Sequence, residues 1–319
     1  MRLSLFTIIP AFIILQGIIS YVNSQELKVE QEQQISQGTL QEDLYGESQG
    51  TKESEDTMEV HFLEVGQGDA TLIICGDATM LIDCSVEDYG TKIQNYLQKR
   101  GITQLDYLIL THPDSDHIGG APVIIQKFDI KQVFMSDFVK DNKFYDKVIN
   151  TLKGREFSWI TPQVGSTWEL GEARFTIVGP AEKYDNPNDS SLSLILTHGD
   201  NTFLFTGDTQ EAAEKDMVER DGEEISYDLL ADVYKAGHHG SRTSSCKEFL
   251  DAVNPTYAVI SCGEGNSYGH PHAATLNEFR SRGIKVFRTD EQGSIIATSD
   301  GTKIMWNCAP SETWQAGEG

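Results

Sequence analysis

Positive charge is what this sequence holds least of. Its 25 Lys and Arg stand against 49 Asp and Glu, a formal net charge of −24. That balance excludes a protein that grips nucleic acid through a basic surface. It leaves open an enzyme that meets phosphates through bound metal ions. Proline is scarce, 9 residues against 28 Gly, and 39% hydrophobic content marks a globular composition. The five cysteines include no Cys-x-x-Cys pair, and their odd number leaves at least one without an intramolecular partner. Cys75 and Cys84 fall at opposite ends of one strand pair, so buried thiols are expected rather than a disulfide framework. No internal repeat is present, and no apolar run long enough to span a bilayer follows residue 24.

The first 24 residues differ from the rest. Arg2 is followed by an almost wholly apolar Leu3 to Val22, and Val22-Asn23-Ser24 offers small residues ahead of Gln25. Residues 1–24 read as a signal peptide, with an uncleaved N-terminal anchor as the alternative. Pro10 and the single basic residue favour cleavage. Either way the remainder is secreted or extracytoplasmic, and membrane contact is confined to this segment. Residues 25–57 carry nine acids and two lysines with hardly an aromatic, the composition of a disordered acidic spacer. A folded domain is expected over residues 58–309, with a tail at 310–319.

Chemistry concentrates in "LDYLILTHPDSDHIGG", Leu105 to Gly120. A buried strand ends at a Pro–Asp break, and His112, Asp114, Asp116 and His117 follow within six residues. Neutral imidazoles and carboxylates without a cation among them are what a divalent metal requires. Other strands finish the same way. "EVHFLEV" ends in "GQGD", and the hairpin "ATLIIC"/"MLIDC" returns Asp83 to that end. "SLSLIL" and "TFLFTGD" bring Asp208 beside Asn188 to Ser191. "DVYKA" leads into "GHHGS", and "YAVISCG" into a loop carrying His270. Polar groups converging at strand ends are the layout of a ligand site in a layered α/β fold. His198 lies in its hairpin turn, at the opposite end from Asp208, and is excluded as a ligand. Amphipathic segments at 91–100, 121–128, 144–152, 210–220, 245–253 and 273–282 place helices between the strands. The order fits an αββα sandwich.

These motifs are recognisable. "HPDSDH" resembles the His-x-His-x-Asp-His signature of the metallo-β-lactamase superfamily, with Asp114 in place of the second histidine. "VHFLEVGQGDATLI", "THPDSDHIGG", "LFTGD", "AGHHGSRTSS" and "AVISCGEGNSYGHP" are similar, in that order, to the extracytoplasmic hydrolase domain of the ComEC-type DNA-internalisation competence proteins. The likeness covers residues 58 to 300. Those proteins also carry a many-span membrane channel, so a role in DNA transport does not carry over.

The resemblance implies the αββα metallo-β-lactamase fold and a divalent metal site of one or two ions. His112 and Asp114 match ligands of the first metal, Asp116 and His117 those of the second. Asp208 matches the carboxylate that bridges both, and His270 the last histidine of the superfamily. Asp83 matches a residue that orients a ligand histidine from behind. The third histidine of the first metal has no counterpart, since Asn188, Asp189, Ser190 and Ser191 stand there. Oxygen-rich ligation shifts preference from zinc toward manganese or magnesium, or leaves that position weakly filled.

The expected chemistry is hydrolysis by a metal-activated water, with a phosphodiester such as DNA or RNA as the leading substrate. His238 or His239 protonates the leaving oxygen, and neighbours at a strand end face opposite ways, leaving the choice between them open. Lys235, Ser241 and Arg242 are expected to hold substrate oxygens. Gln67 and Asp69 read as a structural turn, and Trp306 and Trp314 as edge packing. The rival substrates are phosphocholine or teichoic-acid esters of the cell envelope, or an amide in the manner of a lactamase. A non-catalytic binding protein would lack ligands, and the near-complete set here counts against it. No protein partner is predicted.

Overall fold

The computed structural model describes residues 57–220 and 227–317. The segment read as signal or anchor, and residues 25–56 of the spacer, lie outside the described residues. Among the described residues, no helix is long and apolar enough to cross a membrane.

Two mixed sheets make the frame. In spatial order the first holds β15 (Ile304–Trp306), β14 (Ile295–Ser299), β1 (Met58–Phe62), β2 (Thr71–Cys75), β3 (Ala78–Ile82), β4 (Gln104–Leu110), β5 (Asp129–Met135) and β6 (Trp159–Ile160). The second holds β13 (Lys285–Arg288), β12 (Tyr257–Ile260), β11 (Val233–Lys235), β10 (Asn201–Phe205), β9 (Ser193–His198), β8 (Ala173–Gly179) and β7 (Thr167–Leu170). Each sheet joins antiparallel hairpins to a parallel run, β3 to β6 in one and β10 to β13 in the other.

Side-chain alternation assigns the layers. On β10, Phe203 and Phe205 enter the core between the sheets, while Leu204 points to the outer helices. On β9, Leu194 and Leu196 face inward and Ile195 outward. On β4, Ile109 faces the inter-sheet core, and Leu108 and Leu110 face the other helices. Strands buried on both faces read as continuous apolar runs, which is why they are visible in the sequence. Phe134 and Phe175 anchor the inter-sheet core, with Trp168 between them at 4.7 and 5.6 Å. A fully buried side chain of that size contributes about 1.5–3 kcal/mol.

Helices cover the outside. On the first sheet lie α1 (Gly90–Lys99), α2 (Ser115–Ile118), α3 (Ala121–Lys127) and α4 (Lys143–Gly154), which bury Ile93, Leu97, Ile124, Ile125, Val148 and Leu152. On the second lie α5 (Glu211–Arg220), α6 (Lys247–Val253) and α7 (Ala273–Ser281). The one-turn α8 (Thr289–Gln292) joins β13 to β14. The architecture is the expected αββα sandwich.

Because β3 and β4 run parallel, as do β10, β11 and β12, their C-terminal ends reach a common edge. Asp83, His112, Asp208, the turn Gly237–Gly240 and Ser261 all follow directly from those ends. All five cysteines are free, and Cys75, Cys84 and Cys262 are buried. Trp306 stacks on Phe287 at 4.0 Å, as edge packing requires. Residues 311–317 follow β13 as a strap. Ser311 N–H donates to the Val286 carbonyl at 2.7 Å, Arg288 donates to the Gln315 carbonyl, and Gly317 N–H donates to the Pro271 carbonyl at 3.0 Å.

Candidate metal centre

The turn after β4 is held before any ligand is considered. Asp114 occupies the N-cap position of α2, with extended backbone, and its carbonyl accepts the N–H groups of His117 and Ile118 at 3.1 and 3.0 Å. Gly119 and Gly120 let this turn press against the exit of β3. A Cβ on Gly120 would lie 2.3 Å from the Cys84 carbonyl oxygen. Cys84 N–H in turn donates to the His117 carbonyl at 2.7 Å. Backbone approach of this kind carries His117 to the edge and buries it completely.

Asp116, His117, Asp208 and His239 each offer one ligand atom, and those atoms lie within 4.8 Å of one another. His117 Nε2 is 3.1 Å from Asp208 Oδ1, and His239 Nε2 is 3.4 Å from Asp116 Oδ2. His112 Nε2 stands 3.8 Å from Asp208 Oδ2. His112 Nε2, His117 Nε2, His239 Nε2 and Asp208 Oδ1 are buried and make no aligned hydrogen bond, the 3.1 Å approach of His117 to Asp208 included. Polar atoms this costly to bury unpaired mark a place that a cation would fill.

The far side of each ring explains why the lone pairs face inward. His117 Nδ1–H donates to Asp83 Oδ2 at 2.7 Å. His239 Nδ1–H donates to the Ser261 carbonyl at 3.0 Å. Thr111 donates its hydroxyl to Asp83 at 2.7 Å, which leaves its oxygen to accept from His112 Nδ1 at 3.2 Å. Each ring is thereby fixed as the tautomer whose Nε2 is free to bind a metal. Asp69, Asp83 and His117 also converge, but there Asp83 is taken by His117 and Thr111, and the Asp69 carboxylate is paired with the Lys235 ammonium.

Electrostatics point the same way. Burial alone would favour neutral forms throughout. Instead the Asp208 and Asp83 carboxylates hold His117 well above the ordinary imidazole range, and Asp208 and Asp69 raise His239. The facing histidines overcome burial at the acids, so Asp208 and Asp116 are held well below the ordinary carboxylate range. Carboxylates that favour a proton on these imidazoles would favour a metal ion in its place, so metal uptake would displace that proton from Nε2. His112 departs from this: burial and then repulsion from His117 lower it to about 4, so it stays neutral. The donor set of two imidazoles and two carboxylates fits one divalent ion.

The structure moves several residues from their expected roles. His270 is buried but stands outside the cluster, its ring 6.0 Å from that of His239. Gln67 Nε2–H donates to His270 Nδ1 at 3.3 Å, which occupies that lone pair and leaves the ring proton on Nε2. Asn266 pins the same residue by both its backbone N–H and its carbonyl. His239, expected among the catalytic acids, takes the place given to His270. The choice between the two adjacent histidines is settled by left-handed backbone at both, φ 49° at His238 and 55° at His239. That geometry turns His239 inward and leaves His238 at the rim, with Nε2 3.7 Å from Asp208 Oδ2 and Nδ1 3.0 Å from the Thr243 hydroxyl.

Asp114 also lies outside the cluster, because Lys140 Nζ donates to its Oδ1 at 2.6 Å. Lys235 is 3% exposed and donates to Asp69 Oδ2 at 2.9 Å, so its ammonium is not presented to a substrate. The Ser241 hydroxyl is engaged by Thr243 at 3.0 Å, whereas Arg242 is exposed. Gln67 and Asp69, read as a turn, brace the site instead. Asp69 lies 3.8 Å from His239 Nδ1 and Gln67 supports His270. An acid and an amide in a Gly-x-Gly turn leading to a strand of the common edge were the available signal. His198 sits at the far end of β9, 2.8 Å from the Ser299 hydroxyl.

Comparison with known proteins agrees with this geometry. Residues 63–264 match the family model described as the metallo-beta-lactamase superfamily. The chain is 30% identical over 257 residues to ComE operon protein 3 of Bacillus subtilis, an alignment covering 74% of this chain and 32% of that protein. It is 32% identical over 234 residues to competence protein ComA of Neisseria gonorrhoeae, covering 73% of this chain and 31% of that protein. The match thus spans only about a third of the length of these relatives. Among solved structures, the metallo-beta-lactamase fold protein YhfI from Bacillus subtilis superposes with a TM-score of 0.51 at 14% identity, over 76% of this chain and 100% of YhfI. With the fold, the strand-end cluster and a family match over more than half its length in agreement, the chain belongs to the metallo-β-lactamase superfamily, with ComEC-type competence proteins among its relatives.

Proposed function

We propose that the protein is an exported, metal-dependent phosphodiesterase that cleaves DNA or RNA. The observation that carries this reading is the convergence of Asp116, His117, Asp208 and His239, three of whose buried atoms lack partners, beside a rim histidine free of that cluster. A divalent ion held by those four residues would lower the pKa of a bound water toward neutrality and offset charge on a phosphoryl oxygen. Asp83 and the Ser261 carbonyl keep two of the rings in the required tautomer.

His238 is the group that hands a proton to the leaving oxygen. The Thr243 hydroxyl holds its ring, and its Nε2 side faces the cluster. Burial, only partly offset by Asp208, keeps its pKa below the ordinary value. A phosphoryl anion placed against Nε2 raises it again, so substrate binding readies the proton donor. Lys140 and Arg242 supply positive charge at the rim of an otherwise acidic protein. The competence relatives support nucleic acid as substrate, and residues 1–24 support export.

The test uses protein stripped of metal and refilled separately with zinc or manganese, assayed on labelled single- and double-stranded DNA. Metal-dependent cutting that disappears in Asp208→Ala supports the reading. Absence of cutting with an ion bound would overturn it and move the substrate to the phosphate esters of the cell envelope.

A further inference from the structure

We infer that Lys140 takes the place of a second metal ion, so that the centre binds one divalent ion and meets its substrate with that ion and one ammonium group. The inference rests on reading the Asp116, His117, Asp208 and His239 cluster as a metal site. A first-metal position beside that cluster would need donors around His112, and His112 Nε2 is indeed buried and unpartnered. Its prospective companion Asp114 is paired to Lys140 Nζ at 2.6 Å.

On the remaining side of that position the donors are largely engaged already. Asp189 Oδ1 accepts the Gln210 N–H at 2.9 Å, and its Oδ2 accepts from Asn186 Nδ2 at 3.1 Å. Ser190 donates its hydroxyl to the Asn186 carbonyl at 2.9 Å. Ser191 Oγ accepts the Asp208 N–H at 3.1 Å. Asp189, Ser190 and Ser191, three of the four residues where a third ligand would stand, are thus engaged in holding their own segment and the Asp208 turn.

Lys140 is delivered to this place by a built loop. The segment after β5 is tied at its root, where Ser136 donates its hydroxyl to the Ser190 carbonyl at 2.7 Å. It is tied at its far end by Asn142, whose side chain accepts the Phe144 and Tyr145 N–H groups at 2.9 Å and caps α4. The Lys140 side chain is 34% exposed, so its ammonium is open to solvent as well as paired with Asp114. A fixed positive charge there repels a second divalent ion and attracts an anionic oxygen.

Manganese titration followed by native mass spectrometry and electron paramagnetic resonance tests this directly, without any assay of activity. The unaltered protein is expected to take up one ion with an uncoupled manganese spectrum. Lys140→Met should take up two ions with a spin-coupled spectrum, its second site filling at manganese concentrations about tenfold lower or more than any second uptake by the unaltered protein. The double variant Lys140→Met/Asp114→Asn should return to one ion. Two ions in the unaltered protein would overturn the inference, as would a single ion in Lys140→Met. No ion in any of them would overturn the metal-centre reading itself, a result distinct from the other two.

Discussion

Asp83 illustrates how much one buried carboxylate can arrange. It accepts the Thr111 N–H at 2.9 Å, the Thr111 hydroxyl at 2.7 Å and His117 Nδ1–H at 2.7 Å, and through Thr111 it also orients His112. Asp83→Ala frees both rings and should weaken zinc or manganese affinity by about 10–100-fold, measured by calorimetric titration. An unchanged affinity would mean that packing alone aims the histidines. A second comparison separates neighbours that the motifs do not. His239→Ala removes a donor of the cluster and should cost metal affinity far more than His270→Ala, because His270 is tied to Gln67 and Asn266 instead. Equal losses would return His270 to the ligand set. At this scale the sequence shows which residue types assemble, since His and Asp crowd the strand ends. It does not show which atom points where, because that depends on φ 49° and 55° at two successive histidines and on a carbonyl 22 positions away.

Between elements, the most informative contact joins α5 to α6. Glu214 is fully buried, and its carboxyl accepts the N–H groups of Ser245 and Cys246 at 2.6 and 2.8 Å, just ahead of α6. Burial outweighs those donors and pushes its pKa up from 4.5 to about 7. For an acid raised in this way, the folded state holds the proton more tightly than the unfolded chain. The stability this gives is complete below about pH 4.5 and is lost as pH rises through about 7, a difference of about 3 kcal/mol. Glu214→Gln should therefore gain on the parent protein between pH 5 and 8 in denaturant unfolding. A pH-independent difference would show that Glu214 titrates normally. The apolar spacing of "EAAEKDMVER" does not announce that an acid shares its inward face, although the helix itself was legible, expected at 210–220 and found at Glu211–Arg220. The other main helices were equally legible from their amphipathic spacing. Less apolar or partly exposed strands such as β6, β7 and β15 carry weak patterns and depend on their sheet neighbours.

Across the whole molecule, the strap of residues 311–317 links the far edge of the second sheet to the site. Gly317 lies so close that a Cβ there would meet the His270 carbonyl oxygen at 2.2 Å. His272 N–H donates to the Gly240 carbonyl at 3.0 Å, so the loop held by the strap also touches the turn that carries His238 and His239. Ending the chain after Ala309 should cost about 1–3 kcal/mol for the lost backbone bonds. It should also speed hydrogen exchange in residues 266–272 while leaving α1 to α4 unchanged. Uniform exchange across the fold would deny the strap a local role. The acidic composition, the layered α/β order and the kinds of residue gathered at the strand ends were determined by the sequence alone, because strand alternation, helix spacing and the clustering of His with Asp are local patterns. Only the tertiary structure decided that His239 rather than His270 joins the cluster, that Asp114 is taken by Lys140 and that Lys235 is turned to Asp69. Each of those outcomes pairs groups from distant segments, and nothing in local spacing records which partner lies across the fold.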